Sequence, residues 1–63
     1  MNIAAADITA GTTFSTKYDT FTAVADAKVD RLNVNGGYKV EVTTADSEES
    51  FYHLFGLNDM VAA

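Results

Sequence analysis

"LNVNGGYKVEV", residues 32–42, is the stretch of this chain that most directly predicts its fold. Two runs of alternating apolar and polar residues flank Asn35, Gly36 and Gly37. Asn and Gly tolerate the positive φ angles of tight hairpin turns, and strands with one buried face alternate in this way. The segment therefore predicts a β-hairpin.

The length of the loop decides which residues of this hairpin face each other. A three-residue loop over residues 35–37 pairs Val34 with Tyr38, Leu32 with Val40 and Arg31 with Glu41. A two-residue loop instead pairs apolar residues with charged ones. Each favourable cross-strand pair contributes roughly 0.2–1 kcal/mol, which favours the longer loop. On this reading, the core face carries Val34, Tyr38 and Val40, and the solvent face carries Arg31, Lys39 and Glu41.

The segment that follows predicts a second turn and a further strand. The turn lies in "ADSEE", residues 45–49, and the strand extends from Glu49 to Phe55. A two-residue turn at Asp46 and Ser47 places Val42 opposite Phe51, and a loop one residue longer places it opposite Tyr52. Both registers are compatible with a small closed barrel, so this pairing stays open at the level of sequence.

Residues 16–32, "TKYDTFTAVADAKVDRL", fit two periodicities. Read with period two, one face carries Phe21, Ala23, Ala25, Ala27 and Val29. Read with the helical period, the alanines and a Thr cap favour a helix. Because β-branched and aromatic residues are frequent here, we predict a strand.

The two ends of the chain complete the predicted architecture. "DITAGTTF", residues 7–14, predicts a turn at Gly11 followed by a strand from about Thr12 to Thr16. Near the other end, Leu57, Met60 and Val61 have the spacing of one helical turn, which suits a short apolar plug. We therefore predict an all-β, small SH3-like barrel of four to five short antiparallel strands, formed by a single domain over residues 1–63. The alternative is an α+β fold, β-α-β-β, with residues 20–32 helical.

Composition limits the classes of function open to this chain. It has 63 residues, no Cys, one His and a formal net charge of −5. Disulfides and thiolate metal sites are therefore excluded, and no cofactor is predicted. The acidity argues against free binding to nucleic acid, which requires a basic surface, and favours a basic protein partner.

The apolar pattern also bears on location. No apolar run approaches the roughly 20 residues of a membrane span, and "MNIAAADITAG" lacks the basic start of a signal peptide. These features predict a cytoplasmic protein without a membrane partner.

The order of segments is similar to that of SH3-like and KOW-like barrels, and of small phage-encoded barrel proteins of unassigned function. The segments that carry the resemblance are "ADITAGTTF", "FTAVADAKV" and "GYKVEVTTADSEESFYHLF". The resemblance implies an interaction module and, if the chain is phage-encoded, a location in the host cell cytoplasm. KOW-like barrels bind nucleic acid or ribosomal partners through basic loops. This chain departs from that pattern by its acidity, so no binding residue is carried over.

Catalytic and metal motifs are absent from the sequence. His53 is the only ready general base, and no spacing marks a nucleophile beside it. "DSEE", residues 46–49, lacks the remaining ligands and the central Gly of a calcium loop. The glycines form neither a dinucleotide fingerprint nor a P-loop. We therefore predict that the chain is not an enzyme.

The aromatic strand holds the candidate site. If Phe51 and Phe55 point inward, Tyr52 and Leu54 point outward, or the reverse. An outward apolar patch with an acidic rim is typical of a protein-binding surface. The candidate interaction surface comprises Glu48, Glu49, Tyr52, Leu54 and Asp59.

The predicted function follows from this surface. We predict a small non-enzymatic protein-interaction module, such as a phage-encoded accessory protein that binds and inhibits or modulates a larger basic host protein, or a small virion component. Self-association through a sheet edge is a further form of this function. The alternative is a nucleic-acid-binding small barrel, which requires the basic side chains to converge beside exposed tyrosines. Those side chains are Lys17, Lys28, Arg31 and Lys39.

Overall fold

The computed structural model describes all residues 1–63 and contains seven antiparallel strands. A 3₁₀ turn at Ala5–Asp7 is its only helical element. The strands are β1 (Asn2–Ala4), β2 (Thr13–Ser15), β3 (Thr20–Ala23), β4 (Lys28–Val29), β5 (Gly37–Thr44), β6 (Ser47–Gly56) and β7 (Met60–Ala62). The all-β prediction is confirmed, with more strands than the four to five predicted.

One curled sheet contains all seven strands, in the order β1-β7-β2-β3-β5-β4, with β6 on the other side of β5. β5 is the central strand, because it pairs with β3 and β4 along one edge and with β6 along the other. The sheet forms a half-barrel. The helical alternative for residues 20–32 is wrong, since this segment contains β3 and β4 separated by a bend.

Nine apolar residues form the core inside the curl: Ala5, Ile8, Phe14, Phe21, Ala23, Val40, Val42, Phe55 and Val61. Phe14 lies at its centre, with ring centroids 5.7 Å from Phe21 and 6.0 Å from Phe55. Gly11 takes a φ of 87°, as the predicted turn before β2 requires. The amino-terminal turn and strand are therefore where the sequence places them.

The predicted three-residue hairpin loop is wrong. β4 pairs with β5 through Lys28 opposite Lys39, so residues 30–36 form a long loop. Leu32 and Val34, predicted to pair inside the hairpin, are 93% and 97% exposed. The pairings of Leu32 with Val40, of Arg31 with Glu41 and of Val34 with Tyr38 do not form, because Val40 faces His53, Glu41 faces Tyr52 and Tyr38 faces Val29 and Phe55.

Two short polar side chains explain this loop. The Asp30 carboxylate accepts a hydrogen bond from the Leu32 N–H at 3.1 Å. The Asn33 side-chain oxygen accepts one from the Asn35 N–H at 3.0 Å. Such local bonds offer the backbone an alternative to the strand ladder. In two successive turns of this kind, the N–H groups of Leu32 and Asn35 are bonded to local side chains, so residues 30–35 do not form the first strand of the predicted hairpin.

The β5–β6 hairpin follows the first of the two registers left open. Val42 lies opposite Phe51, and a register shift separates this pair from Thr44 opposite Ser47. The two-residue turn is formed by residues 45–46, one residue earlier than predicted. The shift is a bulge in β6, which bends the strand near its start.

The carboxyl-terminal segment is a strand and not the predicted helical plug. β7 pairs with β1 through three residue pairs, and the Ala63 N–H donates to the Met1 carbonyl at 2.8 Å. Val61 is buried, while Leu57 and Met60 are more than half exposed. The backbone partners supplied by β1 favour the extended form over a single helical turn.

Candidate interaction surface

The two faces of β6 have different environments, which answers the question of orientation left by the sequence. Phe51, His53 and Phe55 point into the curl, where the His53 ring stacks on Phe55 at 4.5 Å between centroids. Tyr52 and Leu54 point outward and are 50% and 63% exposed. The outer face of β6 is therefore apolar and accessible.

The structure separates the five predicted site residues into three groups. Tyr52 and Leu54 lie together on the outer face. Glu48 and Glu49 are exposed at the amino-terminal end of β6, beside the β5–β6 turn. Asp59 lies beyond the other end, where its carboxylate accepts a hydrogen bond from the Gly56 N–H at 2.8 Å. Glu48 and Glu49 thus lie at the far end of the strand from Leu54, whereas Asp59 lines one groove together with Leu54.

An open groove of about 430 Å³ extends across the outer face. Its apolar lining consists of Leu32, Tyr52 and Leu54. Its polar lining consists of Asp30, Asn33 and Lys39, and the Lys39 Nζ lies 5.2 Å from the centre of the Tyr52 ring. Leu32 was predicted to be buried, so the sequence did not identify this wall of the groove. The long loop carries Leu32 to this position because the Asp30 turn keeps it out of the sheet.

Basic side chains extend the groove toward β4. An adjoining cavity of about 470 Å³ is lined by Lys28, Arg31 and Lys39, together with Val29 and Leu32. We name the two cavities together the basic groove. Three of the four basic residues of the chain lie along it, although they are well separated in the sequence. The pairing of β4 with β5 brings them together.

The basic groove holds three basic side chains and one carboxylate, that of Asp30. Lys28 lies directly opposite Lys39 in the β4–β5 pair. Like charges in this arrangement destabilise a sheet. No carboxylate lies within 4.0 Å of the charged nitrogens of Lys28, Arg31 or Lys39. The groove is therefore a site where an anionic group would remove a local repulsion.

The fourth basic residue lies on the other side of Leu54. A second groove, of about 500 Å³, is lined by Lys17, Tyr18, His53, Leu54 and Met60, among others. The Lys17 Nζ is 5.1 Å from the centre of the Tyr18 ring, which is 76% exposed. Leu54 thus separates two grooves, each with a lysine beside an exposed tyrosine.

The outer edge of β6 has no neighbouring strand, since β6 pairs with β5 alone. On β5, the carbonyls of Gly37 and Glu41 accept bonds from the β4 side and the β3 side, respectively. Backbone groups alternate in direction along a strand, so those of Val40 point toward β6.

The same alternation identifies the free groups of β6. Val40 and Val42 are paired with His53 and Phe51, whose backbone groups therefore point toward β5. Those of Tyr52 and Leu54 point away, to the free edge. Gly56, which has the same parity, bonds in that direction to Asp59. β6 therefore presents backbone groups without a strand partner beside exposed apolar side chains, and among these groups the Leu54 C=O lies 3.3 Å from the His53 Nδ1.

The neighbours of the His53 ring are aromatic. His53 packs between Phe21 and Phe55, and its Nδ1 lies 3.3 Å from the Leu54 carbonyl oxygen. No group of three His, Asp or Glu side chains is arranged to hold a metal ion.

Comparisons with known proteins add no relative. No family model, curated protein or solved structure matches the chain. No helix in the structure is long and apolar enough to cross a membrane.

Proposed function

We propose that this chain is a small non-enzymatic protein-interaction module that binds a partner protein in the basic groove. The observation that carries the proposal is the exposure of Leu32, Tyr52 and Leu54 around one groove of a chain with a core of only nine buried residues. Exposed apolar side chains gathered in one place are typical of protein-binding sites.

The basic side chains of the groove indicate that the bound segment carries negative charge. The net charge of −5 led us to expect a basic partner. Salt screens exposed charges beyond about 8 Å, so the charges lining the groove act most strongly on a segment bound there. Lys28, Arg31 and Lys39 favour a segment that places carboxylates beside an aliphatic or aromatic side chain. An accessory protein that modulates a host protein, or a small virion component, is the form of this function that the resemblance implies.

Leu32 provides a sharp test of this site, because its neighbour in the loop is a matched control. We expect Leu32→Ser to weaken capture of the partner about tenfold or more, since a buried Leu contributes about 1.5–3 kcal/mol. Val34→Ser removes an equally exposed side chain that does not line the groove, and is expected to leave capture unchanged. Quantitative mass spectrometry after affinity capture from host lysate, followed by titration of the purified partner, measures both effects.

The comparison of the two variants decides the proposal. A protein that is retained by the wild type and Val34→Ser but lost by Leu32→Ser supports binding in the groove. Equal capture by all three chains, or no specific capture by the wild type, contradicts it. Because both residues are exposed, circular dichroism is expected to show unchanged folding for both variants.

A nucleic-acid-binding barrel is a second candidate, favoured by the position of the basic residues. All four line grooves that adjoin at Leu32, Lys39 or Leu54, and two exposed tyrosines lie beside them. Aromatic rings next to a positive groove are used to stack the bases of single strands.

This candidate predicts a limited dependence of binding on salt. Four basic residues make at most four phosphate contacts. The slope of log K against log salt concentration is then no steeper than about −2.8, and Lys39→Gln is expected to make it shallower by about 0.7. Fluorescence polarisation of labelled single-stranded oligonucleotides measures the slope. No binding at low salt rules this candidate out.

A further inference from the structure

We propose that the cavity lined by Lys28, Arg31 and Lys39 binds a phosphate monoester dianion, carried by a phosphorylated side chain of the segment bound in the basic groove. Three observations carry this inference. They are the meeting of three cationic side chains at one cavity, the lack of a carboxylate partner for any of them, and the apolar lining next to them. The inference rests on the proposed function for the source of the phosphate, but not for the binding of phosphate itself.

The pairing of β4 with β5 brings two of the cations together. Lys28 lies directly opposite Lys39, so both side chains leave the same face of the sheet. The Cβ atoms of opposite residues are about 4.5–5.5 Å apart, which lets two long side chains reach one group. Each ammonium has three N–H donors, and the Arg31 guanidinium adds five in a planar fork. The cavity of about 470 Å³ that these side chains line has no acidic residue in its lining.

Two carboxylates near these cations in the fold accept hydrogen bonds from other groups. Glu41 shares a face of β5 with Lys39, but its carboxylate accepts a hydrogen bond from the Ser50 hydroxyl at 2.6 Å. Ser50 lies toward the acidic end of β6, away from the residue that pairs with Lys39. Asp30 lines only the second cavity, and its carboxylate accepts the hydrogen bond of the Leu32 N–H. The first cavity is therefore cationic, and its positive charges are open to an external anion.

The charge of a phosphate monoester matches this cavity better than that of a carboxylate does. A phosphorylated side chain carries a charge of about −1.5 to −2 at pH 7 and three acceptor oxygens. A carboxylate or a phosphate diester carries a single negative charge, so it leaves part of the repulsion between Lys28 and Lys39 in place. The adjoining cavity shares Leu32 and Lys39 with the first, and its apolar lining is the place for the residues beside the phosphorylated one.

Methyl phosphate tests the cavity without any contribution from the apolar lining, and dimethyl phosphate is the matched monoanion. At about pH 7.5 the monoester is mostly dianionic, and we expect the purified chain to bind it more tightly than the diester at the same ionic strength. Lys28→Gln is expected to weaken binding of methyl phosphate about 1.5- to 5-fold, as the loss of one exposed ion pair predicts. Chemical shifts of the backbone amides, followed by nuclear magnetic resonance during titration, measure the dissociation constants.

Lys17→Gln is the control for this substitution. It changes the net charge of the chain by the same amount, but Lys17 lines the groove on the other side of Leu54. We expect this variant to bind methyl phosphate as the wild type does. Both lysines are exposed, so both variants are expected to keep the fold.

The outcomes separate this inference from the proposed function. Binding of methyl phosphate that Lys28→Gln weakens and Lys17→Gln does not supports the cavity. No binding of methyl phosphate, or equal losses from the two variants, overturns it. Equal affinity for the two esters also overturns it, and indicates a phosphodiester such as a nucleic-acid strand instead. None of these results bears on capture of a protein in the basic groove, which Leu32→Ser reports.

Phosphatase treatment of the host lysate before affinity capture tests the source of the phosphate. A partner that is captured from untreated lysate and lost after treatment supports a phosphorylated side chain. A partner that is captured equally from both lysates contradicts this source and leaves the proposed function standing. A wild-type chain that captures no protein contradicts the proposed function and this source together, and the titration with methyl phosphate then decides the cavity alone.

Discussion

Replacing Phe14 with alanine is expected to remove most of the stability of this domain. Phe14 is 1% exposed and contacts Phe21 and Phe55 at the centre of the core. A buried Phe→Ala change costs about 3–5 kcal/mol. A domain of this size is stable by about 3–9 kcal/mol, and no disulfide or metal supplements that. Urea unfolding followed by circular dichroism measures the loss.

Phe51→Ala is the control for this substitution. Phe51 carries the same side chain, but 46% of it is exposed and it lies at the margin of the core. We expect the smaller loss from this variant, in proportion to the smaller area that it buries. Equal losses from the two variants would contradict a core centred on Phe14.

Gly37→Ala is expected to give the second large effect. Gly37 begins β5 with a φ of 154°, and a Cβ there would lie 2.5 Å from the Phe55 carbonyl oxygen. Backbone of β6 would have to move, because a carbonyl oxygen cannot rotate away as a flexible side chain can. Strain of about 1–3 kcal/mol and displacement of packed atoms of about 1–3 kcal/mol add to about 2–6 kcal/mol.

Gly11→Ala separates these two contributions. Gly11 also has a positive φ, of 87°, but nothing lies within 4 Å of the position of its Cβ. This variant therefore bears only the conformational cost of about 1–2 kcal/mol. Thermal and urea unfolding of both variants are the measurements. A Gly37→Ala chain as stable as Gly11→Ala would show that β5 and β6 do not approach each other this closely.

Alternating runs were the most reliable guide to the fold. The alternation in residues 38–42 and 51–55 predicted β5 and β6, because side chains on a strand with one buried face must follow period two. The β-branched and aromatic residues around Phe21 favoured a strand over a helix there, and β3 lies at this position. Failures occurred where a local bond or a distant partner decided the conformation. Asp30 and Asn33 formed turns inside the predicted hairpin, and β7 required β1 as a partner.

The candidate site was only partly predictable. Either Tyr52 and Leu54 or Phe51 and Phe55 were predicted to face outward, and the sequence did not decide between these two alternatives. Leu32, now a wall of the groove, was assigned to the core. Binding of nucleic acid requires the basic side chains to converge, but the sequence does not show whether they do. Lys28 and Lys39 become neighbours only because β4 pairs with β5.

The amino-acid sequence by itself determined the β class, the two main strands β5 and β6, the turn at Gly11 and the lack of any catalytic or metal motif. These follow from side-chain period, backbone freedom and residue chemistry, which act over a few neighbouring positions. Only the tertiary structure decided which face of β6 is outward, how the basic groove is assembled, and that one edge of β6 lacks a neighbouring strand. Those features depend on which distant strands pair, because hydrogen bonds and packing across the sheet join residues that the sequence keeps apart.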